Sequence, residues 1–149
     1  MTIYEWIGIG IAMISLVWSC ITFFLMRNNA TAQTELYINE RITNTKEKVS
    51  EHTNEMAPLK VKKDLTIENQ ELLRIKEQIL KTAIENNLNA YEEACAKYID
   101  KKIDRKRFKK TYKIEIKQLV ENKNFKSYFD KVTSPYKTIL TVYNELKES

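Results

Sequence analysis

The residues best suited to chemistry lie in the stretch DKKIDRKRFKKTYK, residues 100–113. From Lys97 to Lys117 ten Lys or Arg stand against three Asp or Glu, a net of +7, while the whole chain of 149 residues carries +5. The rest of the chain therefore sums to −2, and its basicity is a local property. At 100° per residue, Lys106, Lys110, Lys113 and Lys117 fall within about 60° of one another on a helix. Like charges four apart cost a few tenths of a kcal/mol each, and Glu115 lies off the ridge, so an anion would relieve the strain. Arg105 and Arg107 add forked donors suited to phosphate, and the open amides of a helix start attract anions as well. The expected ligand contacts are Lys102, Arg105, Lys106, Arg107, Lys110 and Lys113, with Tyr98 and Tyr112 as base-stacking rings. A solvated cationic helix face competes with this reading. Among anions, a phosphodiester, an anionic lipid surface and an acidic protein partner compete with one another.

Catalytic chemistry has little to build on. His52 is the single histidine, and it sits in a helical pattern rather than beside a nucleophile. Cys20 and Cys95 show no C-x-x-C spacing and are too remote to form a framework. Cys95, among Tyr91, Tyr98 and Ile99, reads as a core thiol. Glu92 and Glu93 are an ordinary surface pair, and no glycine-rich phosphate loop occurs. The sequence predicts a protein that is not an enzyme and uses no metal and no cofactor.

The elements that must position the basic stretch follow from apolar patterning. Residues 6–26, WIGIGIAMISLVWSCITFFLM, contain no charge. As a helix they rise roughly 31 Å, matching a hydrocarbon core of about 30 Å, and predict a transmembrane helix after a short tail at 1–5. A cleaved leader is the competing reading, from Ala30-Thr31-Ala32, but Glu5 and the length of the run oppose it. Arg27, Arg41 and Lys46 follow the span and predict an N-terminus outside, with the C-terminal domain in the cytoplasm at the inner membrane. Gly8 with Ala12, and Ser15 with Ser19, are small pairs that let helices approach. Residues 27–59 read as a stalk. In it Ile38, Ile42, Thr45, Val49, His52, Met56 and Leu59 make a three-heptad seam, either a short coiled coil between chains or a polar stalk helix. Pro58 is expected to end or bend it.

Residues 60–149 predict a small helical bundle. Asp64 is a candidate cap for a helix with Leu65, Leu72, Ile75, Ile79, Leu80 and Ile84 on one side. Asn86 and Asn87 are expected either to interrupt that helix or to lie within one longer helix. Asn89 with Glu92 matches a capping box. Asp104 is the clearest cap, with Ile103 and Phe108 as a hydrophobic staple and Phe108, Tyr112, Ile116 and Leu119 as the buried seam. A stop is expected in residues 121–124, then a short aromatic helix. Ser134 and Pro135 are expected to open the last helix, which carries Ile139, Leu140, Tyr143 and Leu146. The fold class is thus all-α, with an N-terminal transmembrane helix, a helical stalk and a small cytoplasmic helical bundle.

The run LNAYEEACAKYIDKKIDRKRFKKTYKIEIKQLVE, residues 88–121, resembles the helical core of a bacterial single-pass membrane family of unknown function, through Asn89, Tyr91, Glu92, Asp104 and Phe108. In layout, with one span, a stalk and a basic helical domain, the chain also resembles membrane effectors associated with type III CRISPR systems. That resemblance implies self-association, activation by cyclic oligoadenylate, and an action on the lipid bilayer in antiviral defence. The alternative is a non-catalytic, membrane-tethered protein-interaction or scaffold protein.

Overall fold

The computed structural model describes residues 3–61, 66–130 and 132–148, with the side chains of residues 3–9 and 11 set aside. The chain is all-α. Its elements are α1 (Ile3–Val61), α2 (Ile67–Ile99), α3 (Arg105–Glu121), a 3-10 helix (Lys123–Phe129) and α4 (Lys137–Glu148).

The 59 residues of α1 form one helix, which at 1.5 Å per residue is roughly 88 Å long. Among the described residues no helix is long and apolar enough to cross a membrane, and this overturns the transmembrane helix expected over residues 6–26. Positions 6–9 and 11 of that stretch lie outside the described side chains. The expected single-pass inner-membrane topology, with its outside N-terminus and bilayer partner, loses its basis with the span.

The heptad seam is real, but it is spent within the chain. Ile38, Ile42, Met56 and Leu59 are buried, and Thr45, Val49 and His52 half-buried, against α2 running antiparallel. Cross-links between the two helices set the register. Lys60 pairs with Glu77 at 3.9 Å, Lys76 with Glu55 at 2.9 Å, and Arg41 with Glu93. The Thr45 hydroxyl donates to Asn87 Oδ1 at 3.0 Å. A repeat of seven marks a helix seam without saying whose helix fills it. Residues 38–59 of the segment read as a stalk therefore pack into the folded unit.

Pro58 lies inside α1, which continues to Val61. So close to the helix end its missing amide costs a single ladder bond. The candidate cap Asp64 and Leu65 lie outside the described residues; the cap of α2 is Thr66, whose side chain accepts from the Asn69 amide at 3.3 Å. Asn86 and Asn87 do not interrupt α2, because Asn87 is buried with its side-chain oxygen held by Thr45. The capping box at Asn89 is likewise absent, since both of its residues lie within that helix.

The core gathers where all helices converge. Leu88, Tyr91, Cys95 and Tyr98 of α2 meet Ile38 and Ile42 of α1, Phe108 and Ile116 of α3, and Ile139 and Val142 of α4. Rings run through it, with Tyr98 and Phe108 at 4.9 Å and Phe108 and Tyr112 at 5.0 Å between centroids. Such pairs add about 0.5–1.5 kcal/mol each beyond their burial. Helix α4 starts at Lys137, later than the expected Ser134–Pro135 opening. The Ser134 hydroxyl donates to the Tyr128 carbonyl at 2.6 Å and accepts from the Tyr136 amide at 3.0 Å, closing a turn before the helix.

Candidate functional site

Helix α3 presents the basic stretch. The Asp104 carboxylate accepts from the Arg107 amide at 2.8 Å, as an N-cap should, and Ile103 and Phe108 are both buried as the staple requires. That backbone hydrogen bond is the largest influence holding the Asp104 carboxyl below its ordinary range. A second carboxylate comes from α1. Glu35 accepts from the Asp104 amide at 2.8 Å and pairs with the Arg107 guanidinium at 2.6 Å. Two acids at this helix start offset the unfavourable placing of Arg105, Lys106 and Arg107 near the positive end of the helix dipole.

The cations divide into two sets. Arg105 pairs with Glu145 at 2.6 Å and Lys109 with the same oxygen at 3.3 Å; Arg107 pairs with Glu35, and Lys102 with Asp100 at 3.3 Å. Lys106, Lys110, Lys113 and Lys117 are exposed and make no ion pair among the described residues. Glu115, off the ridge, is held by Lys46 at 2.9 Å and by the Tyr91 hydroxyl. Ile114 is 69% exposed in the same outward quadrant. The outer surface of α3 is therefore a lysine ridge beside one unburied apolar side chain. Lys113 and Lys117 also line a small hollow of about 160 Å³ floored by Ile116 and Leu146, with Lys147 opposite.

The structure does not assemble the expected phosphate site as one cluster. Arg105 and Arg107 flank the bundle in ion pairs, while the lysines face outward. The two rings expected to stack on bases, Tyr98 and Tyr112, both lie in the core. Tyr98 is fully buried, its hydroxyl donates to Glu145 at 2.6 Å, and the Arg105 guanidinium lies 4.5 Å from its ring centre. Tyr112 packs between Tyr91 and Phe108 and donates to Asn39 at 3.3 Å. Tyr112 also lines the groove between α1 and α3.

Sequence reasoning missed three acids that organise the site. Glu92 of α2 accepts from the Thr138 and Ile139 amides, both at 2.9 Å, and so caps α4 from another helix. Glu35 and Glu145 lock α3 from α1 and α4. The Tyr98 hydrogen bond is the largest influence keeping the Glu145 carboxyl below its usual range. Nothing in their sequence neighbourhoods marks these roles, because their partners are 40 to 72 positions away. Cys95 is buried, and desolvation pushes its thiol well above the ordinary value, which suits a core residue and not a nucleophile. Among the described residues no group of three or more His, Cys, Asp or Glu is placed to hold a metal.

A groove of about 390 Å³ runs between α1 and α3, walled by Ala32, Leu36 and Ile38 on one side and Ile103, Phe108 and Thr111 on the other. The Glu35–Arg107 pair stands at its rim.

No family model, no curated protein and no solved structure matches the chain, so the resemblances to a single-pass membrane family and to CRISPR-associated effectors, with cyclic oligoadenylate as ligand and antiviral defence as role, find no support.

Proposed function

We propose that this protein is a non-catalytic interaction or scaffold module that docks an acidic partner protein on the outer surface of α3. The observation that carries the reading is the selective pairing of the cations. Lys102, Arg105, Arg107 and Lys109 each pair with an acid within the chain, whereas Lys106, Lys110, Lys113 and Lys117 form no ion pair among the described residues. The seam of Phe108, Tyr112 and Ile116 fixes the flanking side of the helix in the core, so the ridge is held rigid and little ordering entropy is lost on docking. Ile114 offers an apolar anchor beside the charges. That combination suits an acidic amphipathic helix, whose charges steer the encounter while one apolar side chain adds contact.

The probe is an Asp/Glu-rich amphipathic helical peptide with one leucine face, titrated into the full chain by fluorescence anisotropy. Binding should weaken as salt rises and fall at least tenfold in the Lys106→Glu/Lys110→Glu/Lys113→Glu variant. Ile114→Ala should weaken it by a smaller factor. Equal affinity for the triple variant and the parent chain would sink the proposal.

A further inference from the structure

The other end of the molecule presents a surface unrelated to the lysine ridge. Ile14, Trp18, Ile21, Leu25, Ala32 and Leu36 follow one another at spacings of four, three, four, seven and four residues, which on a helix puts all six within about 60° of one another. The stripe carries no charge, and Arg27 projects on the opposite side of the helix. Its large members are between 48% and 71% exposed. It begins on the arm of α1 beyond the bundle and ends in the groove between α1 and α3, where Ala32 and Leu36 form one wall.

We infer that this stripe is a self-complementary interface that pairs two copies of this chain through antiparallel α1 helices, with the two-fold axis at Leu25. Antiparallel alignment about that residue sets Leu25 on Leu25, Ile14 on the partner's Leu36 and Trp18 on the partner's Ala32. The largest side chain of the stripe thus meets the smallest, beside a groove of about 390 Å³ with room for an indole. A two-fold axis closes the assembly with both grooves filled and both arms used. The exposed apolar surface of the stripe is on the order of 700 Å² per copy, close to the roughly 800 Å² that each partner contributes to a stable interface and above the usual largest patch on a monomer. A second copy is the favoured occupant, because it supplies an equally long, equally uncharged stripe. Hydrocarbon would leave the groove end of the stripe, beside the Glu35–Arg107 pair, uncovered.

The test uses the full chain in a Cys20→Ser background, with Cys95 buried and silent. Under mild oxidation Leu25→Cys should cross-link to itself, and Ile14→Cys/Leu36→Cys should cross-link while neither single variant does. By sedimentation, Leu36→Glu should weaken association at least tenfold, and Phe23→Glu, on the far side of the arm, less than threefold. Self-linking of Ile14→Cys would mean parallel helices and overturn the proposal. Equal loss from Leu36→Glu and Phe23→Glu would mean unspecific apolar clustering and do the same. So would a single-chain sedimentation coefficient, or flotation on phosphatidylcholine vesicles without cross-linking.

Discussion

Within α1, the segment from Ile38 to Leu59 and the segment from Met13 to Met26 make opposite use of their apolar residues. The first is the more polar in sequence, yet Ile38, Ile42, Met56 and Leu59 are buried beneath α2. The second is almost wholly apolar, yet Met13, Leu16, Trp18, Phe23 and Phe24 are all exposed. What separates them is the supply of partners. The loop after Val61 returns α2 alongside the first segment, and nothing in the described chain returns alongside the second. Hydrophobic burial follows the area that a neighbour can remove from water, not the apolar content of the segment itself.

The sharpest way to break this comparison is a pair of truncations. Ile116→Ala, in the fully buried core, should cost about 2–5 kcal/mol in urea unfolding. Trp18→Ala in the arm should change the intrachain stability by less than about 0.5 kcal/mol, as surface substitutions do. A large loss from Trp18→Ala at a concentration where the chain is a monomer would show that the arm packs on its own bundle.

Next in size is the cap that joins helices. Glu92→Ala should destabilise by about 1–2 kcal/mol, the upper range for loss of an N-cap acceptor, and hydrogen exchange should quicken first at the Thr138 and Ile139 amides. Uniform quickening across α2 instead would place the role of Glu92 in its own helix.

Acid should act on the start of α3 and spare the arm. The Asp104 carboxyl is lowered chiefly by the Arg107 amide, so its folded value lies below its unfolded one, near about 3.9. Its contribution is therefore complete above the unfolded value and disappears as pH falls through the folded one. Titration of the Arg107 amide shift should report this, and Asp104→Asn should remove that part of the acid dependence while keeping an oxygen cap. The arm from residue 12 to 26 has no acid, so its amide shifts should stay flat over the same range.

The smallest effect belongs to the ion pair at the groove rim. The Arg107 side chain is 68% exposed and that of Glu35 18%, so a double-mutant cycle should return a coupling of about 0.2–1 kcal/mol. A coupling of several kcal/mol would mean the rim is far drier than its exposure indicates.

The Asp104 cap, the Ile103–Phe108 staple and the seam of Phe108, Tyr112 and Ile116 are all legible in the sequence, because each link in them joins residues three to five positions apart. The lysine ridge is legible for the same reason. The acids that pair with its arginines, Glu35 and Glu145, lie far along the chain and leave no mark beside them. The core placement of Tyr98 and Tyr112 was not legible, because aromatic residues near cations look alike whether they face a ligand or a core. The seven-residue repeat gave the right face of α1 but not its partner.

By itself, then, the amino-acid sequence determined that the chain is helical, where α3 starts and stops, which sides of α1, α3 and α4 are apolar, and that the positive charge is concentrated on one helix. Those are properties of short-range spacing, and a helix displays them before it packs. Tertiary structure alone decided that α2 runs unbroken through Asn87, that Glu92 caps α4, that Lys102, Arg105, Arg107 and Lys109 are spent in ion pairs within the chain, and which end of α1 finds a neighbour. Each of these is a meeting between residues tens of positions apart, and such meetings exist only once the chain has closed on itself.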